Sequence, residues 1–307
     1  MEIKYILEDN NDYKTEECNN NMTICIAAIC EDTNKVIVSA DRMITAAHLS
    51  QEFEHNVPKM EKISNTCVAV TAGSALAPRE IFSEVRKWAE KVSNHSVHEI
   101  VEEVMKNFNR LRLKKAEERH LKSRGFENAN EFYLKSQSLP PQLIIPIDQK
   151  LSEERLSVEI LIAGVDSDGA HIYWITDPGV SECFDLMCYS AVGSGEPHAL
   201  HTFISENYNS SFSLNKALFT VYEAKKNAEN APGVGKDSDF WVIDKNGIQK
   251  LEKNAISELD NIYKRKRLIV DEGNSKIRED VEAMYLKEVS NEKTDQREEI
   301  GYVPQNI

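Results

Sequence analysis

Residues 23–30 read TICIAAIC, an unbroken apolar run. A polar turn, Glu31–Lys35, separates it from a second run, Val36–Ala40. Neither run alternates with polar residues, so a hairpin made from them belongs in a sheet buried on both faces. A third such run, Thr66–Ala72 (TCVAVTA), ends at Gly73.

Downstream, the period changes. Ile81, Val85, Trp88 and Val92 fall on one side of a helix over Pro78–Val92, and a second helix, Val97–Leu113, comes after Ser96 as its cap. Residues 114–157 read as a helical insertion packed beside the core. Lys114–Arg124 is a charged helical run stopped by Gly125, and Pro140, Pro141 and Pro146 break the segment beyond that glycine. Apolar runs then return. Val158–Asp166 and Ala170–Thr176, joined at Asp168-Gly169, predict a second hairpin. A short strand near Leu186–Val192 leads through Gly193-Ser194-Gly195 to a helix from Pro197 to about Tyr208. Leu214–Ala228 is another helix, with Ser213 as N-cap candidate. Asp239–Ile243, a turn at Asp244–Gly247, and Ile248–Leu251 close the pattern. Strands, two helices, strands, two helices, strands is the order of an α+β fold with two sheets between helix layers.

Composition sets the outer limits. The 307 residues hold 51 acidic and 37 basic side chains, a net charge of -14. That balance argues against nucleic acid or an anionic membrane as the main partner. No apolar run approaches the ~18 residues of a membrane span, and the acidic Met1–Asn21 lacks the basic and apolar regions of a secretory signal. The expectation is a cytoplasmic protein. Cys18, Cys25, Cys30, Cys67, Cys183 and Cys188 form no CxxC pair, and three lie in apolar runs, as reduced core thiols do. Residues 1–22 read as a leader or a mis-assigned start, and 23–250 as the folded core. Residues 251–307, with thirteen acids and ten bases, read as a charged tail, helical or frayed.

The chemistry starts at Met22-Thr23. A threonine hydroxyl needs a base, and one economical base is the residue's own α-amine, which titrates near 7.7–8.0. Thr23 must then become residue one, by a start at Met22 with removal of the initiator, or by cleavage after Met22. Asp41, at the end of the second run, is placed to orient a lysine. Lys59 precedes the alternation Met60, Ile63 that leads into the third run. It is preferred over Lys62, and its charge would favour loss of the hydroxyl proton. Gly73 offers a bare backbone N–H to a developing oxyanion.

The order Thr23, Asp41-Arg42, Lys59, Thr71-Ala72-Gly73, Ile162-Ala163-Gly164-Val165-Asp166, Val192-Gly193-Ser194-Gly195 resembles a proteasome β-type subunit, of the N-terminal-nucleophile hydrolase superfamily. The resemblance spans roughly residues 23–250 outside 114–157. It implies a four-layer αββα sandwich, a threonine peptidase acting on peptides or unfolded protein, a homo-oligomeric ring, and a separate ATPase unfoldase as a further partner. It implies neither cofactor nor metal. By position, Thr23 would be nucleophile, Asp41 and Lys59 would tune it, Gly73 would serve the oxyanion, and Ser194 would position the amine and a water.

Two departures stand out. Where the family carries an Asp and then a Ser near the last helix, this chain reads Asn230-Ala-Pro-Gly233, with Asp237 or Ser238 as replacement candidates. Met22 stands where self-cleaving precursors have Gly. These departures motivate two alternatives: a catalytically silent structural or binding protein of the same fold, and an amidase acting on small acyl amides. Other features have plainer readings. Arg42 beside Asp41 reads as a local ion pair, His95–His98 and His198–His201 as surface or interface histidines, and Lys264–Arg267 as a solvated helix face. Gly193-Ser194-Gly195 matches no nucleotide-binding pattern.

Overall fold

The computed structural model describes residues 23–46, 51–54, 59–74, 77–91 and 95–300. Residues 1–22, with Cys18 and Met22, lie outside these residues, as does Val92. The TICIAAIC run supplies β1 (Cys25–Cys30), buried at every position. It pairs antiparallel with β2 (Lys35–Asp41) on one side and β10 (Tyr189–Val192) on the other. Beyond β2, β11 (Ser238–Asp244) and β12 (Gly247–Lys250) complete a five-stranded sheet in the order β10-β1-β2-β11-β12. A second five-stranded antiparallel sheet runs β5 (Met60–Lys62), β6 (Cys67–Gly73), β7 (Val158–Val165), β8 (Ala170–Thr176), β9 (Val180–Cys183). After β2 the chain forms a two-stranded ribbon, β3 (Met43–Ala46) with β4 (Gln51–Glu54). Sequence reading misses β3, β4, β5 and β9. None exceeds 4 residues, too few to show a period.

Side-chain alternation explains why the strands are apolar on both faces. Cys25, Ala27 and Ile29 of β1, with Val36 and Val38 of β2, share one cluster with Val68, Val70, Leu161 and Ile172 of the second sheet. The alternate residues of that sheet, Cys67, Ala69, Ile160 and Ile162, meet α1 (Ala77–Ala89) and α2 (Val97–His120) through Ile81, Phe82, Val85, Ile100, Val104 and Phe108. On the first sheet, α6 (Leu214–Ala228) lies against β1 and β2 and packs on α5 (Glu196–Ser205). Two antiparallel sheets with packed helices make the fold α+β. Each fully buried Ile or Val contributes about 1.5–3 kcal/mol by leaving water.

The helix ends correct several expectations. Ser96 caps α2 in a capping box: its hydroxyl accepts from the Glu99 amide, and the Glu99 carboxylate accepts from the Ser96 amide at 2.8 Å. This helix does not stop at Leu113 but runs to His120, because Ala116 and Leu121 are buried in a further apolar cluster with Phe132, Ile147 and Leu151. Gly125, at φ 82°, turns the chain after it. Pro140 and Pro141 do not break structure: they start α4 (Pro141–Glu153), where the missing N–H costs nothing, after the short α3 (Ala129–Lys135). Ser213 stands at the N-cap of α6 without a side-chain cap bond. Glu31 Oε1 accepts the Leu214 amide instead, at 2.5 Å.

By packing, the chain divides into one compact unit ending at Leu251 and another beginning at Glu252. The second contains α7, a single 48-residue helix over Lys253–Ile300.

Candidate active site

Thr23 immediately precedes β1 and is 2% exposed. Its hydroxyl donates to Asp41 Oδ1 and accepts from Lys59 Nζ, both at very short range. Lys59 also donates to Asp41 Oδ1, at 2.6 Å. Asp41 ends β2, beside the start of β1 in the hairpin, and Lys59 enters from the segment before β5. The hairpin thus supplies the hydroxyl and the carboxylate, and the other sheet supplies the ammonium.

A fully buried carboxylate is costly unless its lone pairs are satisfied. Besides Thr23 and Lys59, Asp41 accepts the amides of Ile24 at 3.1 Å, Met43 at 3.2 Å and Gly235 at 2.9 Å. The Lys59 side chain is 14% exposed and that of Asp41 is fully buried, so their attraction is little screened.

Ser194, just after β10, meets the Thr23 backbone. Its Oγ accepts the Thr23 N–H at 3.3 Å and lies near two carbonyls, 3.0 Å from Pro232 O and 3.4 Å from Thr23 O. The Gly195 amide donates to Thr23 O at 3.2 Å. Gly193 makes this approach feasible. Its φ is 103°, and a Cβ there would lie 2.5 Å from Thr23 O.

Four of the five expected residues, Thr23, Asp41, Lys59 and Ser194, are therefore in one hydrogen-bonded cluster. Gly73 ends β6 opposite Val158 with φ 92°, and among the described residues takes no part in those bonds. Lys62, the rival of Lys59, instead donates to Asn65 at 2.9 Å on the surface. Arg42 does not pair with Asp41. It holds Asp239 of β11 through two guanidinium nitrogens, one at 2.9 Å. Ser238, one of the two replacement candidates, pairs with Asp41 in the β11–β2 register, and the Asp237 carbonyl accepts the Arg42 amide at 3.0 Å.

Sequence reading missed Gly235 and Pro232, which the loop between α6 and β11 brings to the cluster, and Lys225 of α6, which holds that loop. Lys225 is 1% exposed; its ammonium donates to Glu229 at 2.6 Å and to the carbonyl of Lys236. Burial pulls its pKa down against the attraction of Glu229. A lysine among the apolar positions of α6 was the available signal. Cys25 lies next to the cluster, its thiol 3.5 Å from Thr71 O. Burial pushes it up to about 12, with the Lys59 charge opposing, so it is a packing thiol and not a second nucleophile.

No protein-family model matches the chain. Over 100 residues it is 32% identical to the proteasome subunit alpha of Methanopyrus kandleri, covering 33% of this chain and 39% of that protein. It is 36% identical over 110 residues to a proteasome subunit beta 2 of Thermofilum pendens, covering 34% and 49%, and 36% identical over 95 residues to that of Pyrobaculum calidifontis, covering 31% and 45%. The matches span less than half the length of each of these relatives. They support a proteasome-like fold. Among the described residues no helix is long and apolar enough to cross a membrane.

Proposed function

We propose that the chain is a proteasome-like threonine hydrolase of peptide bonds, built as a four-layer αββα sandwich and acting in a homo-oligomeric ring in the cytoplasm. The observation that carries this reading is the buried contact of the Thr23 hydroxyl with both Lys59 and Asp41. Once Thr23 is the first residue, its α-amine takes the hydroxyl proton and Oγ1 attacks the scissile carbonyl. The Lys59 ammonium stabilises the developing alkoxide, and Asp41 holds that ammonium in place. The Gly73 N–H serves the tetrahedral oxyanion. Collapse expels the amine, which leaves with the proton first taken by the α-amine. A water near Ser194 then hydrolyses the ester and restores the hydroxyl. Unfolded protein, delivered by a separate ATPase, is the substrate this arrangement would serve.

The α-amine is the decisive requirement. In the sequence as written Thr23 N is the peptide nitrogen joined to Met22, unable to act as a base. A catalytically silent subunit is the second reading, favoured by that peptide link and by the Asn230-Ala-Pro-Gly233 departure. Intact-mass measurement of the protein purified from its native source, together with peptide and acyl-amide turnover by parent and Thr23→Ala, tests both. Catalysis predicts a terminus at Thr23 and turnover lost in the variant. A retained leader or unchanged turnover refutes it, and turnover of acyl amides alone assigns an amidase.

A further inference from the structure

The helix Lys253–Ile300 presents apolar side chains to solvent well beyond the usual scatter. Ile277 is 60% exposed, Val281 54% and Met284 58%, and Val270 and Tyr285 are also open. At 1.5 Å per residue it is about 72 Å long. Where these described side chains are exposed, the helix lacks the tertiary packing from which most helical stability comes.

The stripe has an internal symmetry. Along one face Tyr263, Val270, Ile277 and Met284 recur at steps of seven residues. The series reads the same in either direction about a centre between Gly273 and Asn274. A seam with a palindromic spacing fits its own copy laid antiparallel. Val270 then meets Ile277 of the second copy, and Tyr263 meets its Met284. At the centre stands Gly273, around which a Cβ would find open space, so the two backbones can approach closely there.

Charge selects the same orientation. The basic block Lys264–Arg267 lies on one side of the centre and the acidic Glu279, Asp280 and Glu282 lie at matching distance on the other. Lys264 and Glu282 are separated by a whole number of turns, so they share one flank of the seam and come together between copies. Lys266 with Asp280, and Asp271 with Arg278, do so as well. Parallel pairing in register would set the basic block against itself and the acidic block against itself, which opposes association. Within one helix, Lys264 holds Asp260 at 2.6 Å and Arg265 reaches Glu258 at 3.8 Å, exposed pairs of small worth that can exchange for contacts between copies. Leu268, Ile269 and Leu286 are also exposed and fall outside this seam.

We propose that the Lys253–Ile300 helix joins two copies of this chain through an antiparallel, two-fold symmetric helix pair centred at Gly273-Asn274. The pairing does not depend on catalysis by the core or on a ring contact.

The test is disulfide trapping in the full-length protein carrying Val270→Cys and Ile277→Cys. On one helix these sites are about 10 Å apart, too far to bridge, so any 270–277 link joins two copies. Mild oxidation and then mass spectrometry of the linked peptides is expected to find 270–277 links. Links of 270 to 270 and 277 to 277 mean parallel pairing and overturn the proposal. Absence of both, with helix content retained by circular dichroism, means that something other than a second copy covers this face and overturns it equally. Adding Lys264→Glu and Lys266→Glu is expected to reduce the 270–277 link at least fivefold, and further adding Asp280→Lys and Glu282→Lys to restore it. Failure of restoration counts against the antiparallel register.

Discussion

Asp41 Oδ2 accepts the Gly235 amide at 2.9 Å, across 194 residues of chain. The same carboxylate holds Lys59 with its other oxygen, at 2.6 Å. The loop between α6 and β11 is thereby tied to the centre of the site, and Lys225 holds that loop from below by donating to the carbonyl of Lys236.

Replacing Lys225 by Met should loosen the loop. The Lys236 carbonyl would lose a donor and Glu229 one of its two ammonium partners, Lys226 remaining at 2.7 Å. A loss of about 1–3 kcal/mol in urea unfolding is expected, the usual cost of a buried group left unmatched. A variant as stable as the parent would show that Lys225 contributes only bulk.

Gly193→Ala should be among the most damaging single changes in the core. The new Cβ would meet the Thr23 carbonyl at 2.5 Å in a backbone conformation that disfavours a side chain. Strain and overpacking together are worth about 2–5 kcal/mol. Gly125→Ala is the control: its φ is also positive, but nothing lies within 4 Å, so it should cost less. Equal melting temperatures for the two variants would contradict the steric account.

A pH-dependent clasp sits away from the site. His171 lies between Asp185 at 2.6 Å and Asp166 at 3.1 Å. The hydrogen bond with Asp185 raises the imidazole above its ordinary 6.5 despite partial burial. Burial pushes both carboxyls up, but hydrogen bonds from backbone amides and His171 hold them below 3.8. For the histidine, the stabilisation is complete below about 6.5 and fades as pH rises through the raised value. For the carboxyls it is complete above about 3.8 and fades on acidification. The clasp is strongest between those limits. His171→Gln should flatten the fall in melting temperature on the alkaline side above about pH 6.5, and an unchanged profile would exclude the clasp as its source.

Thiol reactivity should separate the described cysteines cleanly. Cys183 is exposed, whereas Cys25 and Cys30 are buried, and burial drives both thiols to about 12. Timed alkylation of the native protein with peptide mapping should label Cys183 well before Cys25, Cys30 and Cys67. Early labelling of Cys25 would contradict the closed packing beside Thr23.

Most of the sheet framework was legible because its strands are long and apolar on both faces. TICIAAIC, TCVAVTA and VEILIAGV have no polar face to offer water, and each became a central strand. The short β5 and β9 were not legible, since 3 or 4 residues carry no period and take their conformation from the neighbour they pair with. Pro140 and Pro141 misled because a proline at a helix start and one in a helix interior look alike until the start is known, and Pro146 lies inside α4 without ending it.

The sequence alone determined the apolar runs and their order, because burial and local spacing are written in neighbouring residues. Tertiary structure decided which lysine reaches the hydroxyl, that Arg42 turns to Asp239 instead of Asp41, and that Gly235 and Lys225 support the site. Those choices depend on how strands far apart in the chain register with one another. In a buried site, a carboxylate takes whichever donors the assembled backbone places within hydrogen-bonding distance.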